Sequence, residues 1–85
     1  MTEIKIEQIV WDEWNVKHIN KHNVTQEEVE EVVTTIITHK KGYSGRVLLI
    51  GRTGTRIVSV VVKRDRTGIY YVVTARDADE KEKSQ

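Results

Sequence analysis

Eighty-five residues with no cysteine, no phenylalanine and a formal net charge of +1 bound the chain to one small domain without a disulfide framework or thiolate metal site. No window approaches the ~20 apolar residues of a membrane span, and the opening Met1-Thr2-Glu3-Ile4-Lys5 lacks the regions of a secretion signal. A soluble protein of the reducing cytoplasm is therefore expected.

Near-neutrality conceals segregation. Between residues 40 and 76, nine cations stand against Asp65 alone, a balance of +8, whereas residues 1 to 31 carry three lysines against eight acids, a balance of −5. Such asymmetry points to an anionic partner.

In chain order, Ile4 and Ile6 alternate with Lys5 and Glu7 and run into Ile9, Val10 and Trp11, the pattern of a short first strand. Asp12 suits an N-cap, with Trp11 and Val16 placed as a hydrophobic staple, so a first helix is expected over 13–22. Asn23 can take the left-handed conformation that ends it. Thr25 and Glu28 form a capping box, flanked by Val24 and Val29, and open a second helix whose inward stripe is Val29, Val32, Val33 and Ile36. The β-branched run from Val32 to Thr38 should end that helix near Thr35 and pass into a strand reaching Lys41.

Beyond the turn bracketed by Gly42 and Gly45, strands are expected over 46–52, 56–63 and 69–76, joined by turns at Thr53-Gly54-Thr55 and Asp65-Arg66-Thr67-Gly68. Loops this short join antiparallel neighbours, which makes a meander. Val58, Val60 and Val62 share the face expected to meet the helices. On the last strand, either Tyr70, Val72, Thr74 and Arg76 or Ile69, Tyr71, Val73 and Ala75 can be the inner set. Asp77 with Glu80 signals a short terminal helix over 78–85. The fold class is α+β: an N-terminal strand and two helices packed on an antiparallel meander, closed by a short helix.

His18 and His22 lie four apart on the first helix, with His39 a third imidazole. The zinc-protease pattern needs a glutamate directly after the first histidine, where this chain has Ile19, so no metal is expected. Walker, dinucleotide and serine-hydrolase motifs are missing as well, and no cofactor is implied. His22, beside Lys21 at the helix C-terminus, is placed to have its charged form favoured by the dipole. Arg46, Arg52, Arg56, Arg64, Arg66 and Arg76 stand at strand ends and turns, where guanidinium forks can meet phosphates. Tyr70 and Tyr71 point to opposite faces, so one ring can stack on a base while the other packs inside; Tyr70 is grouped with the arginines as an RNA-contact candidate.

Trp11-Asp12-Glu13, then Lys21-His22-Asn23-Val24-Thr25 with Glu27-Glu28 and Val29, then Ile50-Gly51-Arg52 and Thr74-Ala75-Arg76-Asp77-Ala78, resemble in order the motifs of the BrnT family of toxins. Asn23 stands where that family usually has glycine. The resemblance implies a RelE-like fold and a metal-independent endoribonuclease of a type II toxin-antitoxin pair, neutralised by an antitoxin that usually also binds operon DNA. It carries a catalytic set onto Lys21, His22, Arg52, Arg76 and Glu82: Arg76 and Arg52 as phosphate clamps with Arg56 in support, His22 or Lys21 in proton transfer, and Glu82 orienting an arginine or acting as base. The other reading is a non-catalytic interaction module whose basic sheet binds an acidic protein or nucleic acid.

Overall fold

A computed structural model of the chain describes residues 6–78; Ile4, the terminal helix expected after Asp77, and Glu82 lie outside them. The elements follow in the order β1 (Gln8–Val10), α1 (Glu13–Asn20), α2 (Gln26–Thr34), β2 (Ile36–Lys41), a 3₁₀ turn (Tyr43–Gly45), β3 (Arg46–Thr53), β4 (Arg56–Arg66) and β5 (Ile69–Asp77). They form an α+β domain whose single sheet is ordered β1-β5-β4-β3-β2. β2 to β5 pair antiparallel, and β1 lies parallel to β5 through Gln8, Ile9 and Val10.

Both helices start where their side chains can satisfy backbone donors. Asp12 accepts from the Asn15 N–H at 2.9 Å while the Asn15 side chain accepts from the Asp12 N–H at 2.9 Å. Thr25 and Glu28 make the reciprocal pair for α2. The fully buried Asn15 also donates to the carbonyl of Val10, tying α1 to the end of β1. α1 is shorter than 13–22, ending at Asn20 with Lys21 as C-cap, and Asn23 takes the left-handed conformation at φ 59°.

The core lies between the helices and one face of the sheet. Ile19, Val24, Val29 and Val32 meet Leu49, Val58, Val60, Val62 and Val72, all fully buried. The valine face of β4 is thus the inner one. Each such side chain contributes roughly 1.5–3 kcal/mol through removal from water.

Neither alternation expected for β5 holds along its whole length. Tyr70, Val72 and Ala75 are buried, so the inward parity changes between Val72 and Ala75. The register explains it: Val62 faces Val72 but Val61 faces Thr74, leaving Val73 as the extra residue of a β-bulge. β4 likewise runs three residues longer than expected, to Arg66, because its pairing with β5 continues through a second irregularity to a two-residue turn.

Gly51 lies where α2 ends over β3. A Cβ there would meet the Val32 carbonyl at 2.8 Å, Val32 Cγ1 at 2.9 Å and the Thr35 carbonyl at 3.0 Å. Thr35 Oγ1 lies 2.6 Å from the Arg52 carbonyl and 2.9 Å from that of Glu31, sharing its one proton between them. Gly51→Ala should therefore destabilise by about 1–3 kcal/mol through overpacking, read as a lowered Tm in thermal unfolding.

Candidate functional site

Cross-strand pairs share a face, and they set one cationic surface on the side of the sheet away from the helices. Lys40 faces Leu48, Arg46 faces Lys63, Arg52 faces Ile57, and Ser59 faces Arg76. Six cations, Lys40, Arg46, Arg52, Lys63, Arg66 and Arg76, thus occupy paired positions of this outer face, Arg66 opposite Ile69, and none of its paired positions carries a carboxylate. The bulge at Val73 brings Tyr71, Thr74 and Arg76 to the outer side together, opposite Lys63, Val61 and Ser59.

The arginines fall at two ends of the sheet. Arg52 and Arg76 stand at the end bearing the Gly54-Thr55 turn; Arg46, Arg64 and Arg66 stand at the other, about 20 Å away by strand rise. Arg52 pairs with Ile57 and Arg76 with Ser59, so they stand on the two strands flanking β4, two strand spacings apart and offset by two residues. Strand spacing and rise then put their Cα atoms about 12 Å apart, within reach of a single phosphate from two long side chains. Both are exposed. Among the described residues the Arg52 guanidinium makes no hydrogen bond or ion pair, whereas Arg76 donates to the Asp77 carbonyl at 3.1 Å.

Arg56 points to the other side and is already engaged. Its guanidinium pairs with Glu28 at 3.0 Å and with Asp77, and donates to the Asn23 carbonyl at 2.8 Å, with a long contact of 3.5 Å to the His22 carbonyl. The hydrogen bond to Asp77 first, then that to Glu28, hold the pKa of this group above its ordinary value despite some desolvation. Arg56 thus joins the residue after His22 to the residue after Arg76. The exposed Lys21 and His22 are in this way brought to the same end of the domain as Arg52 and Arg76.

Tyr70, the tyrosine grouped with the RNA-contact candidates, is only 8% exposed and packs with Ile9 in the core. Tyr71 is the half-exposed one, and its hydroxyl donates to the Asp12 carboxylate at 2.9 Å. Desolvation, followed by the Asp12 carboxylate, raises the Tyr71 hydroxyl above 10.0. Asp12 is held below 3.8 chiefly by the Asn15 N–H, against some desolvation, with Tyr71 and the Trp14 N–H adding to it. Arg64 donates to the Thr67 hydroxyl at 2.9 Å, closing its own turn. Lys40 and Lys63 belong to the outer face but were not singled out by sequence; the alternation that puts Lys63 with Ile57, Ser59 and Val61 was the signal available for it.

This arrangement, two helices on one face of a five-stranded mixed sheet with a basic opposite face, defines the class of fold. Its particular likeness is to the crystal structure of the Brucella abortus ribonuclease toxin BrnT, with a TM-score of 0.68 over 86% of this chain and 97% of that chain, at 23% identity. The chain therefore has a BrnT-like fold. No family model and no curated protein sequence matches it.

Two predictions separate structural from free groups. Arg56→Ala should cost about 1–2 kcal/mol by loss of its part-buried bonds, the pair with the more exposed Asp77 adding little; Arg52→Ala should stay within about 0.5 kcal/mol, both by urea unfolding. For Asp12, a lowered folded pKa means a contribution present above 3.8 that is lost as pH falls through the folded value. Asn caps as well as Asp, so wild type should exceed Asp12→Asn in stability at pH 7 and lose that advantage near pH 2.

Proposed function

We propose that the chain is the toxin of a type II toxin-antitoxin pair and a metal-independent endoribonuclease, acting in the cytoplasm and neutralised by a cognate antitoxin. The observation that carries this reading is the placement of Arg52 and Arg76 together on the cationic sheet face, at the end of the domain where Arg56 also holds the chain just after Lys21 and His22. The shared fold with a ribonuclease toxin supports it.

In this reaction a ribose 2′-hydroxyl attacks the adjacent phosphorus, the 5′-oxygen of the next nucleotide leaves, and a 2′,3′-cyclic phosphate forms. Arg52 and Arg76 supply charge and directed N–H donors to the phosphorane oxygens, where negative charge grows. His22 or Lys21 moves a proton, and the other polarises the phosphate. Glu82 is the remaining member of the proposed set. Arg46, Arg64 and Arg66 act further along the strand, as contacts to flanking phosphates that give affinity without sequence preference.

An alternative is a non-catalytic module that binds an acidic partner through the same face. The observation favouring it is that β2, carrying Lys40 and Lys41, forms an edge of the sheet and can accept a further strand.

Purified protein incubated with RNA in chelator should give products ending in cyclic phosphate. Arg76→Ala and Arg52→Ala should each lower the rate roughly 10²- to 10³-fold, and Arg76→Ala should relieve growth arrest on expression. Intact RNA, together with growth arrest indifferent to Arg76→Ala, leaves the binding module standing instead.

A further inference from the structure

α1 carries a column of rings. Trp14 stacks on His18 with centroids 4.8 Å apart and planes 13° from parallel; His18 meets His22 edge-on at 6.0 Å; and Tyr71 lies 6.5 Å from Trp14 at 26°. Residues 14, 18 and 22 recur at the four-residue spacing that stacks side chains along a helix, so the column follows α1 from the Tyr71 end of β5 to its Arg76 end.

The core does not use this column. Trp14 is 56% exposed, the most exposed large apolar side chain among the described residues, while Ile19 on the same helix is fully buried. Trp14 is not a lone exposed apolar residue but part of a contiguous patch of rings with His18 and Tyr71, and it is contiguous patches that mark binding surfaces. Its surroundings state the chemistry of what it binds. Lys17 and Lys21 project from the same helix and Lys63 stands opposite Tyr71, all exposed. Glu13 is the sole acid within α1, and Asp12 is committed to the helix cap and to Tyr71. Planar rings flanked by mobile cations fit an unpaired nucleobase and its phosphates, since every base has a π-face and stacking tolerates any sequence.

We infer that Trp14, backed by His18 and Tyr71, is the stacking platform for an unpaired base of the RNA, towards the Lys63 and Arg46 end of the sheet and so displaced along β5 from the end where Arg52 and Arg76 hold the phosphate. This rests on the RNA reading above and deepens it: the substrate class is single-stranded RNA, with at least one base unstacked on Trp14. The platform was hidden in the sequence because Trp14 reads as an ordinary helix residue; its spacing to His18 and His22 was the available signal.

The test uses an uncleavable 2′-O-methyl octanucleotide, so that binding is scored whether or not the protein cleaves. Fluorescence anisotropy of the labelled oligonucleotide should show Trp14→Ala weakening affinity roughly tenfold or more, with Trp14→Phe staying within about threefold of wild type. Tryptophan emission of wild type should be quenched on binding, and the quench should be largely lost in Trp14→Phe. An oligomer of the same length with abasic sites throughout should bind wild type and Trp14→Ala alike. Equal affinity of wild type and Trp14→Ala for the intact octanucleotide overturns the platform, as does an equal loss against the abasic oligomer or against a duplex. Failure to cleave ordinary RNA, with the Trp14 dependence of binding preserved, overturns only the catalytic reading. Because Trp14 is exposed, Trp14→Ala should keep the wild-type Tm.

Discussion

The guanidinium of Arg56 is where the two helices and the sheet are locked into one arrangement. It leaves β4 directly after a tight turn, reaches the carbonyl of Asn23 between α1 and α2, pairs with Glu28 in the first turn of α2, and closes on Asp77 at the end of β5. Glu28 serves twice, since the carboxylate that pairs with Arg56 also accepts the N–H of Thr25 and completes the α2 cap. A planar fork with five donors suits such a junction, where a lysine could satisfy only part of it. The consequence for function is positional: the residues beside the clamp, His22 and Arg76, gain their relation to one another from it.

Charge segregates by layer. The helices carry Glu27, Glu28, Glu30 and Glu31, three of which are tied to other parts of the chain: Glu28 pairs with Arg56, Glu31 accepts from the Gly54 N–H at 3.0 Å and Glu30 from the Trp11 indole at 2.8 Å. The opposite face of the sheet keeps its lysines and arginines. A neutral total is therefore compatible with a strongly positive face, because the compensating acids lie across the thickness of the domain. No helix among the described residues is long and apolar enough to cross a membrane.

Local chemistry made much of this legible in advance. Both N-caps and the left-handed Asn23 follow from side chains that satisfy their own neighbouring backbone, and these interactions span three or four residues. The valines of β4 declared their face by strict alternation. Val73 offered no such declaration, because a bulge is a property of two strands: only when β5 lies against β4 does one residue become surplus, and with it the side of Arg76 is decided. Gly51 is similar. Its role is close approach of α2 to β3 rather than backbone freedom, and that contact joins residues far apart in sequence.

What the sequence determined by itself was the order of strands and helices from β1 to β5, the caps of α1 and α2, the inward valine face and the basic character of the sheet, since each arises from neighbours along the chain. Tertiary structure alone decided that β1 runs parallel to β5, that the arginines divide between two ends, that Arg56 is a clamp and Tyr70 core, and that Trp14, His18 and Tyr71 form one column. The physical reason is common to all of these. A side chain's charge and shape are written locally, but whether it is spent on another part of the chain or left facing solvent depends on which distant backbone comes to lie beside it.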